Sequence, residues 1–269
     1  MKLVSSAKLR KAQNAIEAMR PYEEQLLGIL ASLQGGTAGV SSLNLGKNKD
    51  ERKTIVAIAS NSSLCGGFNA NAIAKVRAIR RPGDTVYAIG RKMADAMRKE
   101  GFASPEDFSA LSEHPSYGPA AALVEKLVAD VEAGRTGAVV LVYNHFVSTA
   151  RQEPVVEVLM QRETPDQVGG DRGAEERDSS PAPSYIAPLL EPSRAALLEA
   201  LVPKTRKLKL YAALLDSAAA EHAARTVAMQ TATDNAENLL AELTLQYNKG
   251  RQQKITSEIL DLAGGQAEN

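Results

Sequence analysis

The sequence has little cysteine, few aromatic residues and no tryptophan. Cys65 is its only cysteine, so no disulfide can form within the chain. No uninterrupted apolar run is long enough to cross a bilayer. The N-terminal residues MKLVSSAKLRKAQ lack the apolar core of a signal peptide. Any association with a membrane is therefore expected to be peripheral.

The charge balance and the scattered histidines argue against several classes of function. Lys plus Arg and Asp plus Glu each total 32, so global charge gives no reason to expect a nucleic-acid partner. The three histidines have no metal-ligand spacing. Neither a G-x-G-x-x-G fingerprint nor a P-loop is present, and Cys65 before Gly66-Gly67 is expected to be a buried residue at a tight turn. We expect no cofactor, no metal and no catalytic residue.

Residues 1–34 show the periodicity of a helix that packs along one stripe. Pro21 interrupts the pattern and is expected to kink or restart the helix. The stripe positions recur at spacings of three and four, which is typical of a coiled coil. They are Leu9, Ala12, Ile16, Met19, Glu23, Leu26, Leu30 and Leu33.

Residues 50–193 are predicted to form an α/β domain. Short β-branched runs over 54–60, 85–90, 137–146 and 154–160 predict strands, and helical patterns over 69–81, 91–101 and 119–134 alternate with them. This alternation favours a mostly parallel sheet with helices on both faces. The polar, proline- and glycine-rich stretch 161–193 predicts a mobile surface loop of unassigned role.

Residues 203–265 predict one very long C-terminal helix. Its apolar stripe keeps the three–four spacing of a heptad repeat over many turns. The predicted length of this helix far exceeds the usual 10–14 residues of a globular helix. The stripe consists of Leu208, Ala212, Leu215, Ala219, His222, Thr226, Met229, Thr233, Ala236, Leu240, Leu243 and Tyr247.

The two terminal helices together predict the architecture. We expect a long antiparallel coiled coil of the N- and C-terminal helices with an inserted Rossmann-like α/β domain. The N-terminal helix is the shorter one, so part of the C-terminal helix has no partner within the chain. Something else must therefore surround that part.

Three segments resemble the gamma subunit of F-type ATP synthases. They are LYAALLDSAAAEHAARTVAMQTATDNAENLLAELTLQYNKGRQQKITSEILDLAGG at the C-terminus, KLVSSAKLRKAQ with MRPYEEQL at the N-terminus, and SNSSLCGGFNANAIAK between them. The resemblance implies a non-catalytic rotor, present once per complex. It would couple ion flow through the membrane c-ring to ATP synthesis at the beta subunits of the alpha–beta ring. It also implies an epsilon-subunit partner and a peripheral position on the cytoplasmic side of a bacterial inner membrane.

The same resemblance implies a set of interface residues. Arg251 and Gln252 match positions that hydrogen-bond a loop of a catalytic subunit, and Lys75 matches a cation that faces an acidic segment of beta. The basic residues Lys2, Lys8 and Arg10 of the N-terminal helix could face the same acidic region. The alternative for each of them is a solvated helix face.

Two departures from the family pattern matter. Asn61-Ser62-Ser63 stands where the family has Asp-Arg/Lys-Gly, which removes two charges and any ion pair that they make. The chain also begins at the Met of the family's Ala-Met-Lys pattern, for which a misplaced start codon or a truncated rotor would account.

Two other functions remain open on the residues alone. A coiled-coil scaffold with an inserted α/β module would pair with copies of itself. A small Rossmann-like enzyme with helical arms would need a glycine fingerprint, which is absent. The sequence does not distinguish proton from sodium coupling, or ATP synthesis from hydrolysis.

Overall fold

The computed structural model describes residues 2–33, 52–102, 104–162, 191 and 193–265, with side chains over 3–260 of these. The predicted loop over 161–193 lies mainly outside the described residues. The elements in chain order are α1 (Lys2–Leu33), β1 (Lys53–Ile58), α2 (Phe68–Ile79), β2 (Thr85–Ile89), α3 (Arg91–Lys99), α4 (Ser109–Glu113), α5 (Tyr117–Glu132), β3 (Ala138–Phe146), β4 (Gln152–Gln161) and α6 (Arg194–Gly265).

Four strands form one mixed sheet in the order β2-β1-β3-β4. The central strand β1 pairs in parallel with β2 and with β3, whereas β4 returns antiparallel to β3. Parallel neighbours need a crossover connection. The connection from β1 to β2 contains α2, and the connection from β2 to β3 contains α3, α4 and α5. The expected α/β domain, with the fourth strand beside the third, is confirmed.

Each face of the sheet carries its own core because side chains alternate between faces along a strand. On one face, Val76 of α2 and Met93 of α3 pack against Ile55 of β1. On the other face, Leu127 of α5 and Leu210 of α6 pack against Val56 of β1. The long terminal helix is therefore part of the domain's own core.

The helices α1 and α6 run antiparallel along each other. Leu9, near the start of α1, packs with Ala219 and Ala223 of α6, whereas Glu23, further along α1, lies in the electrostatic field of Lys209. Within the predicted stripe of α1, Leu9, Leu26, Leu30 and Leu33 are buried and the others are half-buried: Ala12, Ile16, Met19 and Glu23. The coiled coil of the two termini is confirmed.

Both prolines predicted to bound or break helices lie inside them. The helix α1 does not restart at Pro21, and α6 begins at Arg194 rather than at Pro203. A proline removes one backbone donor, but half-buried Leu198 and Leu201 before Pro203 give the added turns an apolar contact face. Packing therefore starts the helix nine residues before Pro203, the residue at which local propensity predicts its start.

The 72 residues of α6 span roughly 110 Å at 1.5 Å per residue. From Leu208 to Ala224 almost every turn is buried, because α1 covers one side and the sheet with α5 covers another. Beyond Met229 the burial ends. The helix thus divides into a buried middle and a long uncovered end.

The fold predicts a large cost for truncating a side chain that α6 inserts under the sheet. Leu210 is fully buried in the core between β1, β3 and α5. We expect Leu210→Ala to lower the free energy of unfolding by about 2–5 kcal/mol, since it removes buried methyl groups and leaves a cavity. Urea denaturation of the purified chain measures this. The matched control is Leu239→Ala, whose leucine is 55 % exposed and should change stability by less than about 0.5 kcal/mol. Equal losses in the two variants would contradict the assignment.

Candidate subunit interface

The uncovered end of α6, residues 231–260, is the largest candidate interface in the described part of the chain. Every residue in it is exposed except the half-buried Asn248. We call this segment the bare shaft. A single helix of this length buries no apolar face by itself, and most helices in proteins owe their stability to such burial.

The bare shaft carries large apolar side chains in the open. Leu240, Leu243 and Tyr247 are 66 %, 52 % and 69 % exposed and continue the apolar stripe of the buried part at spacings of three and four. Leu239, Leu245, Ile255, Ile259 and Leu260 are exposed as well. Contiguous apolar exposure of this kind marks a surface that binds another protein. The apolar stripe therefore outlasts its intrachain partner, as the sequence predicts.

Arg251 and Gln252 lie on the bare shaft, both exposed. Arg251 lies roughly 35 Å of helix beyond Ala228, the residue that a side chain added at Gly66 would meet. Their exposure suits contact with another subunit and equally suits a solvated helix face, so their role stays a prediction.

The other predicted interface residues lie elsewhere. Lys75 is half-buried on α2, in the α/β domain, while Lys8 and Arg10 are exposed on α1. Lys2 begins α1, and its side chain lies outside what the structure describes. The structure therefore spreads the six residues over three elements and does not gather them into one site. Lys8 does lie in the electrostatic field of Glu221 and His222 of α6.

The domain is attached to α6 at the end of β3 through Asp216. One carboxylate oxygen of Asp216 lies 2.5 Å from Nδ1 of His145, and the other accepts the backbone N–H of Phe146 at 3.1 Å. Burial raises the pKa of the Asp216 carboxyl, and the contact with His145 opposes that rise. The last two residues of β3 are thus held by a single side chain of the helix.

A second attachment joins α6 to the turn after β1. Arg225 donates to Ser62 Oγ at 2.8 Å and forms an ion pair with Glu221, one helical turn away, at 2.7 Å. Cys65 of the same turn is buried with Phe68 against Ala220 and Ala224. Asn61-Ser62-Ser63 has no charged side chain for an ion pair, but a hydrogen bond from Arg225 to the Ser62 hydroxyl is present there.

Asn61 and Asn69 hold this turn in place. The Asn61 side chain donates to the carbonyl of Ser109 at 2.8 Å and accepts the N–H of Arg91 at 3.0 Å. Asn69 accepts the N–H of Ser60 at 3.0 Å. The turn that meets the shaft is therefore tied both to the sheet and to α3 and α4.

His222 lies next to this attachment and is half-buried. Its Nδ1 is buried and has no hydrogen-bond partner among the described residues. Burial, together with the positive charges of Arg225 and Lys8, lowers the pKa of His222 to about 4. The histidine is therefore neutral at physiological pH and acts as a packing residue, in agreement with its position on the predicted stripe.

Sequence reasoning missed the two attachment points, although a signal for them exists. Asp216, Glu221 and Arg225 are the charged residues of an alanine-rich stretch over 210–225 that is otherwise apolar apart from Ser217 and His222. Charged side chains are rarely buried without a partner. Their presence on a helix that is apolar on most sides predicts polar partners, but does not say which strand or turn supplies them.

The described residues contain no group of His, Cys, Asp and Glu side chains that could hold a metal ion. In the same part of the chain, no helix combines the length and apolarity needed to cross a bilayer.

These features define a class of protein: an elongated shaft subunit with an α/β domain beside one part of its coiled coil and an uncovered helix at the other end. A family model described as ATP synthase matches residues 1–267. Relatives named ATP synthase gamma chain include one from Phocaeicola vulgatus, 44 % identical over 98 % of this chain and 91 % of its own length. Another, from Pelotomaculum thermopropionicum, is 36 % identical over 99 % of this chain and 91 % of its own length. The chain belongs to the gamma-chain family of F-type ATP synthases and is a central-stalk subunit.

Solved structures share the fold. A chain of the Euglena gracilis mitochondrial ATP synthase in rotational state 3 matches with a TM-score of 0.62 at 20 % identity, over 97 % of this chain and 94 % of that chain. A chain from the central stalk and c-ring of the Tetrahymena thermophila mitochondrial ATP synthase matches with a TM-score of 0.60 at 19 % identity, over 87 % and 97 % of the two chains. The antiparallel coiled coil with its α/β domain is thus a known architecture.

The lowered pKa of His222 predicts a specific dependence of stability on pH. A histidine whose pKa is lower in the folded than in the unfolded chain contributes stability above its unfolded pKa of about 6.5, and that contribution is lost as pH falls towards about 4. We expect the stability of the native chain relative to a His222→Gln variant to decrease between about pH 7.5 and pH 5. Urea unfolding of both proteins at each pH measures the difference. A difference that does not change with pH would show that His222 titrates normally.

Proposed function

We propose that this chain is the rotating shaft of its ATP synthase, present once per complex. The bare shaft enters the ring of alpha and beta subunits, and the α/β domain faces the epsilon subunit and the membrane c-ring. The chain performs no bond chemistry. It transmits rotation between the ion-driven c-ring and the catalytic sites of the beta subunits.

The single observation that carries this proposal is the exposure of the bare shaft. This helical segment of some 30 residues leaves its leucine, isoleucine and tyrosine side chains exposed and buries none of them against the rest of the described chain. A surrounding ring would cover the helix on all sides, and no single side of the bare shaft carries all of its exposed apolar residues.

The asymmetry of the shaft accounts for the coupling of its rotation to the catalytic sites of the beta subunits. A protein can favour one conformation of a partner only by as much as it binds that conformation better. The side chains of the bare shaft differ from one angle around the helix to the next, so the helix makes different contacts with different subunits of the ring. Turning the shaft therefore changes which catalytic site is favoured.

The same proposal gives the location of the chain. It is held at the cytoplasmic side of a bacterial inner membrane through its contacts with the rest of the complex. This agrees with the absence of a membrane-crossing helix from the part of the chain that the structure describes.

Reconstitution tests the proposal directly. The purified chain is mixed with alpha and beta subunits, and assembly is followed by size and by ATP hydrolysis. We expect one copy of the chain to enter each ring. A chain that forms dimers with itself and ignores alpha and beta would instead support the coiled-coil scaffold.

Substitution of Arg251 tests the interface role of the bare shaft. We expect Arg251→Ala to weaken assembly with the ring by roughly tenfold, as loss of an anchoring arginine does at protein interfaces. Because Arg251 is exposed in the isolated chain, the free energy of unfolding should stay unchanged. Titration of alpha–beta rings with each variant measures the affinity. Arg98→Ala is the matched control, since Arg98 is an exposed arginine of α3 in the α/β domain. Equal affinities of the two variants would show that Arg251 is only a solvated residue.

A further inference from the structure

If the chain is a rotating shaft, torque must cross the contact between the α/β domain and α6. The inference below rests on that proposed function. Much of this contact is apolar: Leu210, Ala213 and Leu214 of α6 lie under the sheet. Apolar burial holds two surfaces together but is non-directional. A hydrogen bond, which requires a defined distance and angle, fixes the angle of a helix about its own axis more sharply than such burial does.

Directional contacts are needed to fix the angle, and Asp216 supplies two of them. Its carboxylate contacts His145 Nδ1 at 2.5 Å and accepts the backbone N–H of Phe146 at 3.1 Å. The Asp216 side chain is only 17 % exposed. Hydrogen bonds to a charged acceptor are stronger and more geometrically specific than neutral ones.

The backbone contact distinguishes Asp216 from the other polar residues of this face. Phe146 is the last residue of strand β3, so its backbone N–H moves only when the sheet moves. Lys209, two turns earlier on the same side of α6, reaches Glu157 Oε2 and the Val158 carbonyl of β4, both at 3.2 Å. Its long, flexible side chain can follow a small rotation, whereas the short Asp216 side chain cannot.

The location of Asp216 also involves the second helix of the coiled coil. Arg20 and Glu23 of α1 lie close enough to exchange electrostatic effects with Asp216. The end of β3, the shaft helix α6 and the partner helix α1 therefore meet around one carboxylate. A rotation of α6 relative to the sheet would break both of its hydrogen bonds at once.

We propose that Asp216 is the positioning residue that locks the α/β domain to the shaft at a fixed angle, so that rotation of the domain turns the bare shaft without slip. Loss of a charge-assisted hydrogen bond at this point should shift the ratio of locked to slipped arrangements by about tenfold or more. Asp216 acts through His145 and Phe146 and touches no substrate.

The test uses the complete complex in sealed vesicles. ATP hydrolysis and ATP-driven ion uptake are measured in the same vesicles, with a pH-sensitive dye for protons and radioactive sodium for sodium. We expect Asp216→Ala complexes to hydrolyse ATP at the native rate, because the bare shaft is intact, but to transport fewer ions per ATP. Asp216→Asn should lie between the two, since an amide oxygen still accepts the Phe146 N–H.

The ratio of ions to ATP separates slip from a loss of folding, which would reduce the amount of complex without changing that ratio. The matched control is Glu199→Ala, an exposed carboxylate on α6 away from the end of β3, which should keep the native ratio. Should Asp216→Ala fail to assemble, His145→Ala and Asp216→Asn still test the proposal, because each weakens one contact and leaves the other. If every assembled variant kept the native ratio of ions transported to ATP hydrolysed, the proposed role of Asp216 would be wrong. Absence of coupled transport with the unsubstituted chain would instead overturn the proposed function.

Discussion

The middle of α6 is buried on two sides, and the placement of both the sheet and α1 follows from that burial. Between Leu208 and Ala224 this helix is at once one strand of the coiled coil and part of the core of the sheet. A stretch rich in alanine and leucine suits both roles, since small side chains let α1 and the turn at Cys65 approach closely. The domain is therefore built onto the shaft rather than tethered to it.

The charges within this apolar stretch follow from the same constraint. Burying a carboxylate removes its hydration, and packing alone does not offset that free-energy cost. A buried carboxylate therefore needs hydrogen-bond or ion-pair partners. Asp216 finds the end of β3, and Glu221 finds Arg225, which also reaches Ser62. Asp216 and Arg225 thus each make a contact between the domain and the shaft. Both contacts lie at the edge of the sheet where the parallel strands β1 and β3 end, and the apolar packing of Leu210, Ala213 and Leu214 lies before them along α6.

The bare shaft shows the opposite arrangement. Its apolar side chains remain exposed, because α1 ends its cover before Thr231 and the sheet does not extend that far. One helix therefore combines a part that is rigidly fixed to a domain with a part whose contacts must come from other chains. This division is what a subunit needs if it is to carry a rotation from one set of partners to another.

The elements that depend on periodicity can be predicted from the amino-acid pattern alone. Stripes of three–four spacing predicted both terminal helices, and β-branched runs predicted all four strands to within a few residues, because these patterns reflect which side of an element is buried. The excess length of the C-terminal helix followed from the same pattern. The short helix α4 carried too little pattern to be predicted, and the helix start at Arg194 was hidden by Pro203, whose local preference is overridden by packing.

The residues that join the domain to the shaft are brought together only in the folded chain. Asp216 and His145 are 71 positions apart and Arg225 and Ser62 are 163 apart, so no local pattern pairs them. Their meeting depends on how the sheet lies across α6, which is set by the combined packing of Leu210, Ala213 and Leu214. Periodicity records that a side chain is buried, but not against what. For that physical reason the shaft could be predicted from the sequence, whereas its attachment to the domain could not.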